Sequence, residues 1–235
     1  MKEEFDYVAK GLPAGSAKKL VFLLHGVGLN ATVMDKMAQD IIGVLPDAAI
    51  IMPHGPEVYA PPPAQEGDLL KIPKILGGAA NDNTARQWFN ISGNAPTVRA
   101  KLVNTADKMN LFINSLRDIF NVQDKDIAIM GFSQGGGVAL YTAFLREQEI
   151  GCAVGHSTIF FKEPNLKNKP PTLYLYGNAD AEFDIPAYAE SARHLTEHVP
   201  AAQIVEVAGL QHRTSTESRR FVSEFIRDKL APAAP

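Results

Sequence analysis

Short apolar runs that alternate with helix-length amphipathic segments constrain this chain more than any other feature. Residues 19–24, 48–52, 126–130, 152–155, 172–176 and 203–207 read as strands, and 33–44, 98–120, 136–147, 186–198 and 215–230 carry helical patterns. Most of the runs are apolar at successive positions instead of every second one, so both faces of those strands must be buried. Strand and helix in alternation satisfy that need as an α/β fold, a mainly parallel sheet with helices on both faces. The 235 residues, 46% of them hydrophobic, suit one domain over 1–230, with 231–235 a frayed tail. Ligands of such sheets sit at the carboxyl ends of the strands.

The remaining composition mostly excludes. A net charge of −3 with no run of Lys or Arg argues against nucleic acid or anionic membrane as partner. The first ten residues are acidic and mixed, unlike a secretory signal, and no segment approaches the roughly 20 apolar residues of a membrane span. Cys152, the single cysteine, lies in an apolar run and reads as a buried thiol. These features predict a cytoplasmic protein, and they leave the Asn30-Ala31-Thr32 and Asn90-Ile91-Ser92 sequons as chance matches. Residues 53–97 break the alternation. Rich in Pro, Gly and Asn, with Pro61-Pro62-Pro63 at one end and Arg86-Gln87-Trp88-Phe89 at the other, they read as a long substrate-covering loop or a surface excursion.

Gly131-Phe132-Ser133-Gln134-Gly135 stands where a predicted strand hands over to a predicted helix. A serine in so tight a corner needs small residues two before and two after it, because strand and helix pass each other there. That is the context of a nucleophile elbow. A serine hydroxyl is a weak nucleophile at neutral pH and needs a base to take its proton and an acid to orient that base. In the α/β-hydrolase order, acid and then base follow the serine, each after a later strand. Asp180 follows the strand 172–176, and His212 follows 203–207. Glu182 and Asp184 are alternatives to Asp180, although Asp184 also suits the N-cap of the helix at 186. Two backbone N–H groups must meet the oxyanion. Gln134 supplies one at a helix N-terminus, and Val27, in the turn His25-Gly26-Val27-Gly28, supplies the other. His25, ahead of the serine in the chain, fits a brace for this loop better than a base.

His25-Gly26-Val27-Gly28, Gly131-Phe132-Ser133-Gln134-Gly135-Gly136, Gly177 with Asp180 and Gly209 with His212 together resemble the phospholipase/carboxylesterase family of small serine esterases, which includes acyl-protein thioesterases. The likeness runs from about Lys18 to Leu230, and the Ser-Gln-Gly-Gly form of the elbow is its most specific part. It implies a single-domain α/β-hydrolase, monomer or homodimer, that uses no metal or cofactor. It further implies hydrolysis of small-molecule carboxylic esters or acyl thioesters through Ser133, Asp180 and His212. Trp88, in a Trp-aromatic segment like that of some members, and Phe132 are the expected substrate contacts. One departure is Ala181 after Asp180, where the family commonly has proline; the other is the length of 53–97, where acyl selectivity is expected to lie. A non-catalytic binding protein on the same scaffold, or an acyltransferase using the same triad, are the alternatives.

Two further motifs compete. Gly26-Val27-Gly28-Leu29-Asn30-Ala31 fits a dinucleotide fingerprint but lacks the acid at the end of the next strand, which closes Met52-Pro53. His194-Leu195-Thr196-Glu197-His198 matches an inverted zinc-protease motif, yet it ends a helix against Pro200 and reads as a solvated helix end.

Overall fold

The computed structural model describes residues 5–60 and 85–231. Its strands are β1 (Tyr7–Gly11), β2 (Lys19–Leu24), β3 (Ala48–Pro53), β4 (Glu57–Val58), β5 (Arg86–Gln87), β6 (Ile127–Phe132), β7 (Cys152–His156), β8 (Thr172–Gly177) and β9 (Gln203–Val207). Its α-helices are α1 (Asp35–Val44), α2 (Ala95–Phe120), α3 (Gln134–Leu145), α4 (Ile185–His198) and α5 (Thr216–Leu230). Seven strands form one sheet in the order β1-β3-β2-β6-β7-β8-β9, parallel throughout except for β1. The fold is that of the α/β-hydrolases.

All six expected strands form; the five inner ones are covered on both faces as their continuous apolar runs require, whereas β9, at the sheet edge, is largely exposed. Leu20, Phe22 and Leu24 of β2 enter a core with α2, α3 and α4, whereas Val21 and Leu23 point to the opposite core with α1 and α5. The sequence reading missed β1. Its partly exposed, mixed residues lie antiparallel to β3 at the sheet edge, where one side needs no strand partner and no apolar run is demanded. It also missed the β4–β5 pair, whose strands of two residues each are too short to give a periodic signal. A 3₁₀ turn, Ala31–Met34, starts the helical segment that the pattern placed at 33.

Topology places the site. From β2 the chain passes to β3 on one side, and later to β6 on the other. The segment after β2 therefore leads to α1 on one face, and the segment after β6 leads to α3 on the opposite face. Such a divergence opens a crevice at the carboxyl ends of the two central strands. Local caps fix the neighbouring helices: Asp184 accepts from the Ala187 N–H at 2.9 Å to start α4, and Ser215 accepts from the Ser218 N–H at 3.1 Å to start α5.

The expected substrate-covering loop, 53–97, is described only at its two ends. Residues 61–84, including Pro61-Pro62-Pro63, lie outside the described residues, as do 232–235 of the expected tail. No helix among the described residues is long and apolar enough to cross a membrane.

Candidate active site

Ser133 sits between β6 and α3 with φ 53° and ψ −122°, a backbone conformation that L-residues rarely adopt. The flanking glycines make that corner possible. A Cβ on Gly131 would overlap the Gly135 carbonyl, and one on Gly135 would lie 2.6 Å from the Leu24 carbonyl oxygen. The Ser133 N–H donates to the His156 carbonyl at 2.9 Å, which ties the elbow to β7.

Three side chains from three loops converge here. The Ser133 hydroxyl donates to His212 Nε2 at 2.9 Å, and His212 Nδ1–H donates to Asp180 Oδ2 at 2.7 Å. The carboxylate fixes the tautomer, since Oδ2 can only accept. Ser133 and His212 are 7% and 8% exposed and the Asp180 side chain is fully buried, so the hydrogen bonds are shielded from water while the hydroxyl still reaches a cavity. Burial would raise the Asp180 carboxyl, but hydrogen bonds from His212, Tyr188 and the Glu182 N–H outweigh it and hold the group below its ordinary value. Of the three neighbouring acids, Asp180 alone meets a histidine. Asp184 is occupied as the α4 cap.

Tyr188 carries no motif and was not legible beforehand. It is fully buried on α4 and donates its hydroxyl to Asp180 Oδ2 at 2.5 Å, the same oxygen that takes the His212 proton. Its ring stacks on Tyr176 at 4.6 Å. Tyr188→Phe removes one donor to a buried carboxylate while keeping the ring, and should lower kcat on the order of tenfold with little change in KM. A thermal melt and steady-state kinetics check this, and an equal loss confined to KM would contradict it.

Val27 and Gln134 both line the same cavity as Ser133 and His212. Gln134 opens α3, so its N–H has no carbonyl four residues earlier within the helix. The loop carrying Val27 is held from several sides. Gly28 N–H donates to the Arg86 carbonyl and Arg86 N–H to the Leu29 carbonyl, each at 2.8 Å. His25 is the brace that its chain position suggested: Nδ1 donates to the Gly26 carbonyl at 2.7 Å, and Nε2 accepts from the Gly55 N–H at 2.9 Å. The same contacts bind this loop to the β5 backbone, so its fingerprint-like glycines serve a braced turn.

Trp88 and Phe132, expected to touch substrate, line no part of the cavity. Trp88 is 2% exposed because its indole N–H needs a buried acceptor, which it finds in the His25 carbonyl at 2.8 Å. Phe132 lies behind the site, its ring 5.0 Å from that of His212 and 5.4 Å from that of His156. The next residue, Phe89, takes the lining position instead. The Gln134 side chain holds this segment by accepting from the Trp88 N–H at 3.0 Å and donating to the Phe89 carbonyl at 2.7 Å. The cavity measures about 50 Å³ and is walled mainly by Phe89, Ile91, Leu102, Ile159, Phe161 and Phe183. Residues of α2 and of the segment after β7 gave no sequence signal beyond ordinary core residues.

The inverted zinc-protease motif is spent on other bonds. His198 Nε2 donates to the Asn168 carbonyl at 3.1 Å, and Glu197 accepts from Arg193 at 2.5 Å and from Lys162 at 3.4 Å.

Two buried histidines also govern acid stability. Burial, the largest cause in each case, pushes His25 down to about 4 and His156 down to about 3, from 6.5. Below pH 6.5 the unfolded chain binds protons that the folded chain refuses, so their contribution is intact above 6.5 and is lost as pH falls toward 4 and then 3. The expected loss is several kcal/mol. Denaturant melts from pH 7 to 4 check it. His156→Asn should flatten the dependence of stability on pH by about one proton, and an unchanged slope would contradict this.

The model of the phospholipase/carboxylesterase family matches residues 71–230 of the chain. The chain belongs to this family. It is similar to Esterase YpfH of Escherichia coli K12, 22% identical over 226 residues that cover 94% of this chain and 88% of the relative. Among solved structures it resembles esterase PE8, with a TM-score of 0.79, 20% identity and coverage of 97% of this chain and 100% of that one. SOBER1 of Arabidopsis thaliana follows with a TM-score of 0.72, 18% identity and coverage of 91% and 100%. Membership places the chain among the hydrolases of carboxylic esters.

Proposed function

We propose that the protein is a serine esterase that acts on carboxylic esters or acyl thioesters through an acyl-serine intermediate. The observation that carries this is the continuous hydrogen-bonded line from Ser133 Oγ through His212 to Asp180, at 2.9 and 2.7 Å, opening on an apolar cavity. His212 Nε2 takes the Ser133 proton as Oγ attacks the acyl carbonyl. Asp180 stabilises the imidazolium without taking its proton. The carbonyl π pair moves to oxygen, where the N–H groups of Val27 and Gln134 receive it. Collapse of the tetrahedral adduct breaks the C–O or C–S bond, and the leaving alcohol or thiol takes the proton from His212. Water then gives a proton to His212, attacks the acyl-serine and releases the carboxylic acid, restoring the Ser133 hydroxyl.

Tyr188 and the backbone N–H groups of Glu182 and Phe183 hold the Asp180 carboxylate, so the acid needs no rearrangement during turnover. A cytoplasmic location and a monomeric or homodimeric state belong to this proposal as expectations from the sequence. The test is a matched series of aryl esters and acyl thioesters of increasing chain length, assayed with the wild type and Ser133→Ala. At least one class should be hydrolysed, and each activity present in the wild type should vanish in the variant. Thioester turnover that survived the substitution would overturn the common site.

A further inference from the structure

Among the described residues lining the cavity, Glu182 is the one acidic side chain and none is Lys or Arg. The cavity wall is otherwise largely apolar. The residue is half-buried and its placement is fixed: its N–H donates to Asp180 Oδ1 at 2.8 Å, that of Phe183 donates to the same oxygen at 3.2 Å, and Asp184 caps α4 directly afterwards. The acid loop is therefore clamped at both ends by carboxylates, with Glu182 between them. Its own carboxylate makes no hydrogen bond or ion pair among the described residues.

A half-exposed glutamate beside a largely apolar cavity, with no partner for its carboxylate among the described residues, is a selective element. Apolar walls strengthen its attraction for a cation and its repulsion of an anion, and no base among the described lining residues cancels that preference. A wholly aliphatic substrate gains nothing from it. We infer that Glu182 is a specificity residue that favours esters carrying a positive charge on the half that enters this cavity and disfavours those carrying a carboxylate. The inference rests on the serine esterase reading above.

The probes are two series of charge-matched esters. One varies the acyl half: 4-nitrophenyl esters of 4-(trimethylammonio)butyrate, of its uncharged isostere 5,5-dimethylhexanoate, and of glutarate. The other varies the alcohol half: butyrylcholine against 3,3-dimethylbutyl butyrate. In at least one series, kcat/KM of the wild type should favour the cation over its neutral isostere by about tenfold, with a further loss for the anion in the acyl series. Glu182→Gln should bring the cation-to-neutral ratio to within about twofold, and Glu182→Lys should invert it. Raising the salt concentration should weaken the wild-type preference. Identical ratios in wild type and both variants, in both series, would overturn the assignment. Ser133-dependent turnover of the neutral isosteres separates the two layers: if it is absent, the esterase reading fails, and if it is present with unmoved ratios, only the role of Glu182 fails.

Discussion

Under the proposed mechanism, Ser133→Ala should lower kcat/KM for a neutral aryl ester by a factor on the order of 10⁴ to 10⁶ while leaving the protein folded. The loss is large because the remaining groups act only through the missing one. His212 has no hydroxyl to deprotonate, and Asp180 then orients a base without a task. On the proposed mechanism, what should survive is the contribution of the Val27 and Gln134 N–H groups and of binding in the cavity. Folding should be nearly untouched. Among the described residues the side chain makes a single hydrogen bond, to His212, and alanine inherits the same strained φ of 53° that serine already bears. Ester kinetics and a thermal melt check both halves, and a variant that keeps a tenth of the activity would contradict the prediction.

Gly135→Ala acts in the opposite way, through the fold first. The new Cβ would lie 2.6 Å from the Leu24 carbonyl oxygen and 2.7 Å from its carbon, and would press on the His25 carbonyl as well. All three are backbone atoms at the carboxyl end of β2, which β3 and β6 hold on either side. No side chain can swing away, so α3 or the His25-Gly26-Val27-Gly28 turn must move. The expected cost is about 3 kcal/mol or more, a fall of roughly 6–12 °C in Tm for a domain of this size. Activity should fall with it, because the displaced strand end carries Val27. Gly43→Ala is the matched control. Gly43 lies in α1 with nothing within 4 Å of its added Cβ, so the same substitution should stabilise by about 0.5–1 kcal/mol. Equal melting shifts in the two variants would contradict the steric account.

Much of this was legible in the sequence because burial on both faces leaves a continuous apolar run. The strands that carry the site, β2, β6, β8 and β9, announced themselves by run or by position. Once their ends were placed, Ser133, Asp180 and His212 could be named from chain order, and the three side chains meet within hydrogen-bonding distance. The structure departs where a residue's role depends on side-chain direction. Trp88 and Phe89 are adjacent, yet one turns inward to satisfy its N–H on the His25 carbonyl and the other faces the cavity. No local pattern encodes that choice. Tyr188 was invisible for a different reason: its partner Asp180 is eight residues away across a helix cap, a spacing that belongs to no motif. The wall formed by Val98, Leu102, Ile159 and Phe161 reads as ordinary core until tertiary packing leaves a gap beside Ser133. β1 was missed because an edge strand needs no uninterrupted apolar run.

The most direct test of the account is covalent labelling with a fluorophosphonate, followed by intact-mass and peptide-mass measurement. One adduct per chain is expected, located on the peptide that contains Ser133, with loss of ester hydrolysis in step with labelling and no adduct in Ser133→Ala. An adduct on another residue, or full ester turnover by a chain labelled at Ser133, would contradict it.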